Sequence, residues 1–158
     1  MMNGKLQMSD PINQMDIFTN DLVEDIAFVV PGSPAPFVRG TGWEYKIQSK
    51  PEIRRYMDYR SSVSDYAAVA GGQPHHDRVA LSLGMHLRNP QKRRWDMANV
   101  VKSIEDGMNG VAFHDDTQIE RLIIQVYQAD PQDPMAMLYA CREWVYVRLY
   151  KIRSDVTG

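Results

Sequence analysis

The 158-residue chain has a single cysteine, Cys141. One cysteine cannot close an internal disulfide and cannot build a zinc site by itself, which points to a reducing, cytoplasmic setting. Long apolar runs are missing: nothing approaches the roughly 18–20 residues of a membrane helix. Residues 1–24 lack a basic start followed by an apolar stretch, so no secretory signal is expected. A large excess of either charge is absent, and the formal net charge of −2 neither favours nor excludes nucleic acid. Repeats and low-complexity tracts are missing too. What is there, 44% hydrophobic and 24% charged residues, excludes a mostly disordered chain and fits one globular domain.

The small net charge conceals an uneven spread. Residues 1–25 set Asp10, Asp16, Asp21, Glu24 and Asp25 against Lys5, a charge of −4, which leaves +2 for the rest. Arg88, Lys92, Arg93 and Arg94 stand together with no acid among them. A second basic region holds Arg39, Lys46, Lys50, Arg54, Arg55 and Arg60. The division expected is a mobile acidic extension over 1–25 and a folded, locally basic domain over 26–158.

Hydrophobic periodicity orders that domain. Ile26 to Val30 reads as a strand, closed by the stiff Pro31-Gly32-Ser33-Pro34-Ala35-Pro36 loop. Trp43 to Ile47 suggests a further short strand. Ser49 as cap and Pro51 in the first turn open a helix that runs to Ala70 and stops at Gly71-Gly72. Val79 to Leu87 alternates as a half-buried strand. Met97, Val100, Val101, Ile104 and Met108 form the apolar face of a second helix, capped by Asp96 and ended by Asn109-Gly110. Ile119 to Tyr127 and Leu138 to Tyr150 read as two strands joined by a broad hairpin loop over 129–135. The class expected is α+β, a mixed or antiparallel sheet with two main helices packed on it.

Acids flank the second helix. Asp96 stands at its start, Asp115 and Asp116 in the turn after it. If the chain returns alongside, these carboxylates meet at one edge, where they repel unless a cation balances them. Hard oxygen ligands suit Mg²⁺, with Mn²⁺ as a substitute, an ion that activates water and neutralises a phosphodiester. The loop with Arg88, Lys92, Arg93 and Arg94 would hold the phosphates. On residue types alone, the simpler reading is that Asp96 is a helix cap and Asp115-Asp116 a turn.

Residues 95–119 carry more than spacing. The run Trp95-Asp96-Met97-Ala98-Asn99, then Lys102, Glu105-Asp106, Asn109-Gly110 and Asp115-Asp116-Thr117-Gln118-Ile119 resembles the signature of the RusA family. These are phage and prophage endonucleases that cut four-way (Holliday) DNA junctions in recombination and repair. Phe28 to Pro36, with Arg39 beyond, resembles the family's opening strand and loop. The resemblance extends over about 26–150. It implies a RusA-like fold, a magnesium-dependent crossover junction endonuclease and a homodimer on branched DNA, with no membrane partner. It also implies Asp96 and Asp116 as catalytic carboxylates, with Asp115 beside them and Lys102 as the lysine needed for cleavage. Asn99 would orient a ligand, and Asp106 matches another recurrent acid.

One position departs from the family: Ala98 stands where a second catalytic aspartate is usual. Either Glu105 or Asp106 completes the acid set, or the chain is a weak or inactive junction-binding protein. Other readings are less specific. Trp95, Trp43 and Tyr45 are candidates for stacking on unpaired bases. His114 reads as an exposed turn residue, His75-His76 as a solvated loop, and His86 as the polar side of a strand. Cys141 reads as packing within a strand, and most methionines as core filler.

Overall fold

Alternating apolar residues need a partner layer, and the helix faces supply it. A computed structural model describes residues 20–39, 50–92 and 96–153. Its strands are β1 (Leu22–Pro31), β2 (Val79–Leu87), β3 (Ile119–Gln128) and β4 (Trp144–Ile152). Its helices are α1 (Pro51–Ala70), α2 (Met97–Met108) and the short α3 (Pro134–Leu138). The sheet order is β1-β4-β2-β3, antiparallel except for the parallel β2–β3 pair. This is the mixed α+β sheet with helices packed on it.

The main core lies between α1, α2 and one sheet face. Leu81, Leu83, Met85 and Leu87 of β2 meet Val145, Val147 and Leu149 of β4 there, under Val63 and Ala67 of α1 and Val100, Ile104 and Met108 of α2. The two helices touch closely at Gly107. A methyl group there would lie 2.7 Å from both the Arg60 carbonyl and the Val63 Cβ. A smaller cluster of Val29, Ala129, Ala136 and Trp144 covers part of the other face.

The structure corrects several expectations. Ile119–Gln128 and the last strand do not form a hairpin, because β2 lies between them. A parallel β2–β3 pair needs a crossover rather than a tight turn, and α2 is that crossover. The last strand begins at Trp144, not Leu138. Asp133 caps Met135 N–H at 2.8 Å and Pro134 starts the short α3 instead. Cys141 therefore sits in the loop before β4, half-buried against the smaller cluster. β1 starts at Leu22, so 22–25 belong to the sheet.

The loop with His75 and His76 is docked as well. His75 pairs with Asp25, and Gln118 Nε2 donates to the carbonyls of His75 and Asp77 at 2.8 Å each. Lys50, which makes no side-chain capping hydrogen bond, is the N-cap of α1 before Pro51. The suggested strand at 43–47, together with Trp43, Tyr45 and Ser49, lies outside the described residues, as do Arg93, Arg94 and Trp95. Among the described residues no helix is long and apolar enough to cross a membrane.

Candidate nuclease site

The site is laid out along α2. Asp96, itself extended, caps the helix: Oδ1 accepts from the N–H groups of Ala98 at 3.0 Å and Asn99 at 3.4 Å. Its Oδ2 accepts from Asn99 Nδ2 at 3.0 Å. Asn99 thus fixes the orientation of the Asp96 carboxylate. The Asn99 carbonyl accepts from the N–H of Phe37 at 2.9 Å, which ties the Pro-rich loop to the helix start.

One turn on, Lys102 Nζ lies 3.3 Å from Asp106 Oδ1 and 5.0 Å from the centre of the Phe37 ring. Tyr56 of α1 donates its hydroxyl to Asp106 Oδ2 at 2.8 Å. Both Asp106 oxygens are therefore engaged. Phe37 meets Tyr56 edge-on, with ring centres 5.3 Å apart. The ammonium of Lys102 is thus held between a carboxylate braced from α1 and an aromatic face braced by the Pro-rich loop.

Asn99, Lys102 and the Glu105–Asp106 pair make the half-buried polar stripe of α2, which Asp96 caps at its start rather than continues. Glu105 is the acid whose titration the fold disturbs in this stripe. Half-burial raises its pKa first, then the negative field of Asp116 and that of Asp106, with Lys102 pulling the other way. Asp116 is raised too. Its hydrogen bond with Asp115 leads, followed by burial and the Asp115 charge, again opposed by Lys102. Asp115 is lowered by the same hydrogen bond and by the Thr117 N–H.

The turn that presents these acids is built locally. Asp115 caps a single 3₁₀ turn over Asp116–Gln118, and Gln118 Oε1 accepts from the N–H groups of His114 and Asp115 at 2.8 and 2.9 Å. Gln118 thereby joins the 114–118 turn to the 75–77 loop, a structural reason for a glutamine after the paired aspartates. The exposed His114 ring lies against His76, centres 4.3 Å apart.

The helix separates the two ends of the expected acid set. Asp96 follows the end of β2, whereas Ile119, after Asp116, pairs with Val79 at its beginning. From Asp96 to Glu105 is about 14 Å along a helix axis. Glu105, Asp116, Asp106 and Lys102 feel one another, while the hydrogen bonds of Asp96 are to its own helix start. Among the described residues no group of three or more His, Cys, Asp or Glu gathers closely enough to hold a metal ion by itself. Ala98 is exposed beside Asp96 and offers no ligand.

The phosphate-binding candidates lie near the helix start. Arg88, Lys92 and Arg39 are exposed. Glu143, 6% exposed, fixes the loop bases there. Its Oε2 accepts from the Arg88 N–H at 2.8 Å and its Oε1 from the Ser33 hydroxyl, while its carbonyl accepts from the Gly32 N–H at 2.7 Å. Sequence reasoning missed Glu143, Phe37 and the Tyr56 hydroxyl. Tyr56 shows only its apolar spacing in the sequence.

The family model for endodeoxyribonuclease RusA matches residues 31–133, which take in the Pro-rich loop, α1, the whole polar stripe and the paired aspartates. A search of curated proteins finds no match.

Proposed function

Because the chain belongs to the RusA endodeoxyribonuclease family, we propose that it hydrolyses phosphodiester bonds in four-way DNA junctions with Mg²⁺, or Mn²⁺ in its place. The observation that carries this reading is the gathering of Glu105, Asp106 and Asp116 around Lys102, where the Asp116 charge raises Glu105 and the Asp106 charge raises both. Carboxylates raised by neighbouring charge and burial, and flanked by a cation, are the signature of a tuned site.

The donor set fits the ion. Mg²⁺ takes hard oxygens and is commonly held by one or two carboxylates, with phosphate oxygens and water completing the shell. Glu105 and Asp116 provide such a pair, which makes the aspartate missing at Ala98 dispensable for holding it. Asp115 adds negative charge beside Asp116, which a bound cation would balance. With both oxygens engaged, Asp106 positions Lys102 rather than a metal. Bound there, a divalent cation would neutralise phosphate charge and make a water more acidic.

The side chains do the remaining work. Lys102 stabilises negative charge developing on the cleaved phosphate. Asp96, fixed by Asn99 about 14 Å along the helix from Glu105, holds the strand nearer the basic loop through a bridging cation or a base N–H. Arg88, Lys92, Arg93, Arg94 and Arg39 bind backbone phosphates, and Trp95 stacks on an unpaired base. A homodimer suits the substrate, since paired cuts in opposed strands need two related sites.

The test is incubation of a labelled four-way junction and a matched duplex with Mg²⁺ or Mn²⁺. Wild type should cut the junction and Asp96→Asn should not. Ala98 favours a second reading, a junction-binding protein without cleavage; binding with no product from wild type would establish that reading instead.

A further inference from the structure

We propose that the cavity beside Asp96 is a pocket for one unstacked nucleobase of the bound strand. The cavity measures about 730 Å³ and lies between the Pro-rich loop, α1 and the start of α2. That is within the range of roughly 300–1,000 Å³ typical of small-molecule sites. The inference rests on the DNA reading above, because a strand lying along α2 is what brings a base to it.

Four features select this occupant. The first is position: Asp96 and Asn99 belong to the lining, so the cavity opens beside the polar stripe where the backbone would run. The second is shape. Pro34, Pro36 and Phe37 give one wall flat, apolar surfaces suited to a planar heterocycle.

The third feature is charge. Glu52, Asp58 and Asp96 outnumber Arg55 in the lining, which repels a phosphate but accepts the N–H groups on a base edge. The fourth is an unmatched polar atom. Tyr59 is in the wall, 6% exposed, and its hydroxyl is buried with no hydrogen-bond partner among the described residues. A buried hydroxyl without a partner is costly, and a base whose entry shifts the wall enough to reach it would satisfy it. Burial also raises the Tyr59 pKa, so the group stays a neutral donor.

The pocket and the nuclease reading are tested apart by measuring binding without divalent ions. Junctions carrying a single abasic residue at successive positions around the cleaved bond are titrated with the full chain and followed by fluorescence anisotropy. One position next to that bond should weaken binding about tenfold, with little effect elsewhere. Ser62→Trp, which fills the cavity, should abolish that positional difference. Tyr59→Phe should reduce it severalfold and leave the melting temperature unchanged or higher, since the lost hydroxyl had no partner. Equal weakening at every position, or a full positional effect in both variants, overturns the pocket whether or not the protein cuts. A positional effect without cleavage in Mg²⁺ upholds the pocket and defeats the nuclease reading. Failure to bind any junction defeats both.

Discussion

Replacing Tyr56 with phenylalanine removes one oxygen from a residue that is 1% exposed. It opens no cavity of note, and it deletes the hydrogen bond that fixes Asp106 Oδ2 at 2.8 Å. The Asp106 side chain is only 16% exposed, so water cannot fully replace the lost donor. Hydrogen bonds to charged groups contribute about 1.5–3 kcal/mol, and partial exposure places this one near the lower end, about 1.5 kcal/mol. For a domain of this size that is a fall of about 3–6 °C in melting temperature.

The functional effect follows from the same contact. Asp106 holds Lys102 Nζ at 3.3 Å, so an unbraced carboxylate lets the ammonium drift from its place over Phe37. Junction cleavage should slow by about tenfold, a loss of about 1.4 kcal/mol in the transition state, with junction affinity unchanged. The assay is a double-mutant cycle of Tyr56→Phe and Asp106→Asn, read both by denaturant unfolding and by single-turnover cleavage. Coupling above 0.5 kcal/mol is expected because the groups touch. Additive effects in both readouts would refute the brace.

Other predictions concern the frame and the charges. Gly107→Ala should destabilise by about 1–3 kcal/mol through overpacking against Arg60 and Val63, more than the roughly 1 kcal/mol that helix propensity returns; unfolding in urea checks it. Glu105 has a raised pKa, so without divalent ions the folded state holds its proton longer than the unfolded one. Its contribution to stability falls as pH rises above its ordinary value of 4.5, and Glu105→Gln should melt higher than wild type at pH 7, with the gain vanishing near pH 4. Mg²⁺ should raise the wild-type melting temperature at pH 7 and raise that of Glu105→Gln less. Raising salt from about 50 to about 200 mM should weaken junction binding severalfold or more, and a flat response would remove Arg88, Lys92, Arg93 and Arg94 from the account.

The readable parts of the sequence are those decided by neighbours in the chain. Asp96, the Met97 to Met108 apolar spacing and Asn109-Gly110 specify α2 because caps and periodicity are local, and Gly110 takes the left-handed φ of 77° expected of a terminator. Val79 to Leu87 is likewise recognisable by alternation. Strand order was not legible. Ile119–Gln128 alternates the same way whether it joins the last strand or β2, and the choice is made by where α2 packs. The Asp133-Pro134 helix start is a local signal too, but it falls inside the stretch whose prolines equally suit a hairpin loop.

At the site, the family motif named Asp96, Lys102 and Asp116 as candidates. It could not show that Tyr56 braces Asp106, because a tyrosine on an apolar face gives no sign of its hydroxyl's partner. Nor could it show His86 stacked between Tyr127 and Trp144, with ring centres 4.8 and 4.6 Å away and its pKa lowered by burial. Those contacts depend on strands distant in sequence.

The most direct test of the central claim is the rate at which wild type and Glu105→Gln cut a four-way junction in Mg²⁺. If Glu105 and Asp116 form the acid pair that works in spite of Ala98, wild type cuts and the variant loses at least a hundredfold while still binding the junction. Full cleavage by Glu105→Gln would contradict it.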